Sequence, residues 1–251
     1  MRQQRILAAA ALALAGILAF AQPAEGPKVV ASTSWTAAFA RAAGAGEIVT
    51  IAPLELRHPP EYELKPSDLA AVAGARFLVH SGYERFAKRL AETAGAEGLD
   101  VLAVYTDNLP SKFKVEARKL ALAFGTLPAY EAWEKGFDAQ AEAMRARVAA
   151  AYPVKRAVVH KYLATYAEWL GFEVVGTFGP GEGSPASLLE LAKAEPVLVI
   201  DNYHNVSGRA VAEATGAPRV ELINFPGRDG TRSIEDVFAY NELLLVAASR
   251  R

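Results

Sequence analysis

The chain has 251 residues, with 27 basic and 28 acidic side chains, four histidines and no cysteine. Its formal net charge is −1 and its basic residues are scattered rather than striped, which argues against a nucleic-acid partner. The missing cysteines exclude disulfides, thiolate metal ligands and thiol nucleophiles, so any metal must be held by His, Asp, Glu, backbone or water.

In chain order, residues 1–21 read as a secretory signal. Arg2 and Arg5 give a positive start, Ile6 to Phe20 is an uncharged apolar run, and Ala19-Phe20-Ala21 is a small-x-small cleavage site. The run is shorter than the roughly 20 apolar residues of a membrane span. Cleavage there predicts an exported, periplasmic protein.

Strands are expected at Lys28–Ser32, Glu47–Ala52, Phe77–His80 and Leu99–Tyr105. Helices are expected from Ser34 to Ala43, from Pro66 to Ala73 and from Tyr83 to Ala94. This alternation predicts βαβ units and a parallel sheet. Lys114–Phe124 reads as helical, and Pro128 suits the first turn of a further helix. The stripe Tyr130, Trp133, Phe137, Met144 and Val148 carries that helix to about Ala151, a span of about 35 Å. Alternation then resumes. Strands are expected at Lys155–His160, Glu173–Thr177, Val197–Asp201 and Arg219–Ile223, with helices at Leu163–Leu170, Ser187–Ala194, Ser207–Thr215 and Ser233–Ala248. The predicted fold is therefore α/β: two Rossmann-like lobes with parallel sheets, joined by one long backbone helix. The expected division is a signal peptide (1–21), an N-terminal lobe (22–127), a connecting helix (128–152) and a C-terminal lobe (153–251).

Imidazole and carboxylate groups gather at predicted strand ends, where open α/β sheets bind ligands. His58 opens His58-Pro59-Pro60-Glu61-Tyr62-Glu63-Leu64-Lys65-Pro66-Ser67-Asp68 after the second strand. His160 closes Ala157-Val158-Val159, and Asp201 closes Val197-Leu198-Val199-Ile200, with His204 just beyond. Borderline divalent cations take imidazole nitrogen together with carboxylate oxygen.

These stretches resemble the metal-binding solute receptors of bacterial ABC transporters, the zinc/manganese/iron group called cluster A-I. The His58 segment is similar to that family's His-x-Tyr-Glu-x-x-Pro-Ser-Asp motif. His160 through Trp169-Leu170-Gly171-Phe172 is similar to its strand-closing His and aromatic-rich helix, and Asp201 to its acidic ligand. Two departures mark a divergent member. Pro59-Pro60 separates His58 from Glu61-Tyr62. In addition, Thr106-Asp107-Asn108-Leu109-Pro110 stands where the family carries a further His before the long helices.

The resemblance implies a receptor that captures a divalent transition metal between two lobes and hands it to membrane permease subunits, as a monomer and without catalysis. His58, His160 and Asp201 are the expected donors, and His204 is a fourth candidate. Zinc is favoured by intrinsic affinity, with manganese or iron as alternatives. Affinity is expected to fall as pH drops through the imidazole range, about 6–7. Asn224 stands where some members carry an acid, Asp107 and Asn108 occupy the lost-His position, and Trp35 and Tyr83 lie near strand ends. Two other functions suit the same cleft. One is a divergent relative that binds a metal chelate or other small ligand. The other is a periplasmic metallohydrolase with Glu61 as its only candidate base, although no HExxH or G-x-S-x-G motif is present.

Overall fold

A computed structural model describes residues 26–181 and 183–250; the expected signal segment lies outside them. Among the described residues, eight strands form two four-stranded parallel sheets. The first contains β1 (Lys28–Ala31), β2 (Glu47–Thr50), β3 (Phe77–His80) and β4 (Asp100–Ala103), in the order β2-β1-β3-β4. The second contains β5 (Arg156–His160), β6 (Glu173–Phe178), β7 (Leu198–Asn202) and β8 (Arg219–Leu222), in the order β6-β5-β7-β8. In both sheets the order reverses beside the first strand. That reversal opens a crevice at the carboxyl ends of the two central strands, and the two crevices meet in one cleft.

The central strands are apolar in their middle residues because both faces are covered. Alternate residues point to opposite layers. In the first sheet Val29, Phe77 and Val79 enter one core, while Val30 and Leu78 enter another with Phe86 and Leu90. In the second, Ala157, Val159, Leu198 and Ile200 join the core of Val29 and Phe77, while Val158 and Val199 pack under Val211. One continuous apolar cluster thus runs through both lobes.

The helices are α1 (Ser34–Ala42), α2 (Pro66–Ala70), α3 (Ala87–Ala96), α4 (Pro110–Phe124), α5 (Leu127–Ala151), α6 (Ala164–Trp169), α7 (Pro185–Lys193), α8 (Arg209–Thr215) and α9 (Ile234–Ala248). The expected long helix is α5, with 25 residues. Tyr130, Phe137, Ala141, Met144 and Val148 are buried along it. The terminal helix α9 lies against α5: Phe238 meets Phe137 edge-on at 5.1 Å, Trp133 Nε1 donates to Glu235 Oε1 at 2.6 Å, and Arg147 pairs with Glu242.

Several boundaries differ from those expected, each for a local reason. The expected helix at Tyr83 starts only at Ala87, because the Glu84 carboxylate accepts from Ser81 N and Ser32 Oγ and ties the intervening turn to β1. The fourth helix begins at Pro110 rather than Lys114. Asp107 Oδ1 accepts from Leu109 N just before it, and proline is well suited to the first turn. α7 starts at Pro185 behind a Ser184 cap, and α8 starts at Arg209 because the residues before it are held by Asp201.

Candidate functional site

The cleft between the sheets is a cavity of about 600 Å³. Strand-end loops of both lobes wall it. Thr33 and Trp35 follow β1, Arg57 and His58 follow β2, and Asp107 and Asn108 follow β4. Across from them, Lys161 and Tyr162 follow β5, His204 and Asn205 follow β7, and Asn224 and Phe225 follow β8. A smaller cavity of about 330 Å³ adjoins it and shares Arg57 and His204.

His204 is the most constrained imidazole in the cleft. It sits in a short turn after β7 that Asn202 caps, with Asn202 Oδ1 accepting from His204 N at 2.9 Å. Its ring stacks on Phe225, centroids 3.5 Å apart, and Nδ1 is 2.7 Å from Asn224 Oδ1. The Asn224 oxygen makes Nδ1 the protonated nitrogen and leaves the Nε2 lone pair free to bind a ligand. Burial pushes this imidazole down to about pKa 3, and the nearby guanidinium groups of Arg57 and Arg228 add to the effect. It is therefore uncharged at any ordinary pH. His58 lines the same cavity from the other lobe. The inserted Pro59-Pro60 form a short helical turn with Glu61 directly behind it, which absorbs the extra residues and leaves His58 on the cleft wall.

The other two expected donors lie behind the wall. Asp201 is fully buried and already bonded at both oxygens. Oδ1 accepts from Asn202 N at 2.9 Å and Ser207 N at 3.3 Å; Oδ2 accepts from Gly208 N at 2.9 Å and Arg219 at 2.7 Å. A side chain on Gly208 would strike the Asp201 carboxylate, so glycine is needed there. Asp201 therefore fastens the loop that carries His204. His160 is fully buried, and its Nδ1 accepts from Tyr162 N at 3.3 Å, capping the turn that presents Lys161 and Tyr162. Its pKa is lowered, chiefly by burial. The expectation that His58, His160, Asp201 and His204 surround one ion is not met in this arrangement. Among the described residues, no group of three or more His, Asp or Glu could hold a metal.

The rest of the His58 motif shapes the loop. Tyr62 Oη donates to Asp68 Oδ2 at 2.8 Å, and Lys65 N donates to the same oxygen at 2.7 Å. Asn108 fills the lost-His position, with its Oδ1 buried and without a partner among the described residues. Arg57, Tyr162, Asn202 and Asn205 are cleft residues that sequence reasoning missed. Each lies within two residues of a strand end or a histidine it had singled out, and that nearness was the available signal.

The lobes also touch beside the cleft. Arg57 Nε donates to Tyr203 O at 2.7 Å, Ser34 Oγ donates to Pro226 O at 2.7 Å, and Trp35 stacks on Phe225 at 5.4 Å. Gly227, at φ 137°, passes so close to the Leu54 carbonyl that no side chain fits.

No protein-family model matches the chain, and no curated protein matches it. Solved structures do. The SBP FpvC of Pseudomonas aeruginosa, in complex with Ni2+, aligns over 89% of this chain and 97% of its own, with TM-score 0.65 and 17% identity. The laminin-binding protein Lmb of Streptococcus agalactiae, described as bifunctional with adhesin and metal-transporting activity, aligns over 89% and 100%, with TM-score 0.66 and 18% identity. A Mn-bound mutant of the periplasmic metal-binding protein of Candidatus Liberibacter asiaticus aligns over 89% and 99%, with TM-score 0.66 and 13% identity. The chain shares their fold. That fold agrees with the resemblance read from the His58, His160 and Asp201 segments. In two of these structures it accompanies bound Ni2+ and Mn2+.

Proposed function

We propose that this chain is an exported solute receptor that holds a divalent transition metal in the interlobe cleft and passes it to an ABC permease without catalysing a reaction. The observation that carries this reading is His204, a neutral imidazole whose Nδ1 is fixed by Asn224, in a cleft whose opposite wall supplies His58. Metal-binding imidazoles are characteristically oriented in this way through their second nitrogen. Solved structures of the same fold, two of them metal-bound and one described as metal-transporting, support it. Two imidazoles favour zinc by intrinsic affinity, and nickel, manganese or iron fit the same donors. Residues 22–127 and 153–251 would be the lobes and 128–152 the helix between them, with residues 1–21 removed on export to the periplasm. Asp201 and His160 act in this reading as positioning residues.

Calorimetric titration with Zn2+, Ni2+ and Mn2+ tests the proposal. One ion per chain is expected. His204→Ala should weaken binding about 100-fold, and Asn224→Leu about tenfold by freeing the ring. His160→Ala should stay within about fivefold of the parent. Ion binding that is indifferent to His204 would refute the reading.

A further inference from the structure

We infer that the metal enters this cleft as an anionic, oxygen-rich organic chelate, with imidazole completing its coordination; this rests on the receptor reading above. Three observations converge on the ligand class.

The first is charge. Among the described residues, the only carboxylate on the main cavity wall is Asp107, which already accepts from Leu109 N at 2.8 Å. Against it stand the Arg57 guanidinium and the Lys161 ammonium; in the adjoining cavity Arg228 is balanced by Glu55 and Asp229. Arg57 lies over the Tyr203 ring at 4.6 Å, which holds its cation beside the cleft. A naked dication gains nothing from such a wall, whereas an anion is attracted to it.

The second is the polarity of the unpartnered groups. Trp35 is 8% exposed, Asn108 is 7% exposed and Asn202 is fully buried; all three line the cavity, and Trp35 Nε1, Asn202 Nδ2 and Asn108 Oδ1 have no hydrogen-bond partner among the described residues. The two nitrogens are donors only, so a ligand that satisfies them must bring acceptor oxygens, and a hydroxyl on it can serve the Asn108 oxygen.

The third is room. A single ion needs on the order of the 30 Å³ that one water occupies. The cavity is about 600 Å³, within the range of organic-ligand sites, and the half-exposed rings of Tyr83 and Tyr162 flank it. The two imidazoles can supply two positions of a coordination sphere, and oxygens of the chelator can fill the others.

Titrations with Ni2+ alone, with Ni2+–citrate, with Ni2+–malate and with each free acid separate the alternatives. We expect at least one chelate to bind about tenfold or more tightly than Ni2+ alone and than its free acid. Lys161→Gln should shift the two probes in opposite directions, weakening the chelate about fivefold and strengthening bare Ni2+ by a similar factor; a merely structural effect would move both the same way. Trp35→Phe should also weaken the chelate. If Ni2+ alone binds at least as tightly as both chelates, or if Lys161→Gln weakens both probes alike, the chelate inference is overturned and the receptor reading stands. If a free acid binds as tightly as its nickel complex, the metal contributes nothing and the receptor reading itself fails.

Discussion

Asp201→Ala should lower the melting temperature by about 10 °C and weaken ion binding only about tenfold, through the loosened His204 loop, in the protein that remains folded. The carboxylate is fully buried, accepts from three backbone amides and pairs with Arg219 at 2.7 Å. Removing one partner of a buried pair costs about 3–5 kcal/mol, because the other charge and the amides lose their acceptor. Against a total stability of about 5–15 kcal/mol this is a large fraction, and in a domain of this size each kcal/mol moves the midpoint by about 2–4 °C. Glu221, 2.9 Å from Arg219, offsets part of the loss. A ligand carboxylate would behave in the opposite way: its removal would abolish binding and leave the metal-free protein almost unchanged. Thermal melts of the apo protein, paired with titration below the transition, distinguish the two roles.

The second large effect concerns acid. In the metal-free protein, His204 is held down to about pKa 3 by burial and by neighbouring positive charge, against about 6.5 in the unfolded chain. The unfolded state therefore binds the extra proton first. The stabilisation from keeping this ring neutral is fully present above pH ~6.5 and is lost as pH falls from there towards 3, at about 1.4 kcal/mol per pH unit. His160, also shifted downward by burial, acts with the same sign. His204→Gln should thus unfold less steeply with acid than the parent when denaturant midpoints are compared between pH 7 and 4.5. Parallel profiles would show that the ring is not buried as described. The sequence expectation that affinity falls through pH 6–7 assumes ordinary imidazoles, and His204 is not one.

Much of the fold was legible because its strands are short uncharged runs punctuated by glycine and proline. Val29-Val30-Ala31 and Val158-Val159 can be read directly as parallel strands, and the stripe from Tyr130 to Val148 as a long helix. The site was only half legible. A carboxylate after an apolar strand reads as a ligand; that it is consumed by Arg219 follows from register. Asp201 pairs with Glu221 and Val199 with Arg219, which puts the cation on the same sheet face two residues away. No local pattern in the sequence carries that register. His160 was half legible for a similar reason: the cap its Nδ1 gives Tyr162 N is a contact two residues along that no local pattern shows, while its Nε2 is buried without a partner among the described residues. His204 was found because it stands beside Asp201. Its importance comes from Asn224 and Phe225, brought to it from the end of β8.

The apolar cluster that runs unbroken from Val29 through α5 to Leu245 has a mechanical consequence. A two-lobed receptor linked by slender strands can swing each half as an autonomous body. Here the halves are rooted in shared hydrophobic ground, so wide opening would expose side chains such as Phe137 and Phe238 to water. In the proposed receptor, ligand exchange would therefore come from small loop displacements at the strand tips, and a severed half would lack the interior it needs to stand alone.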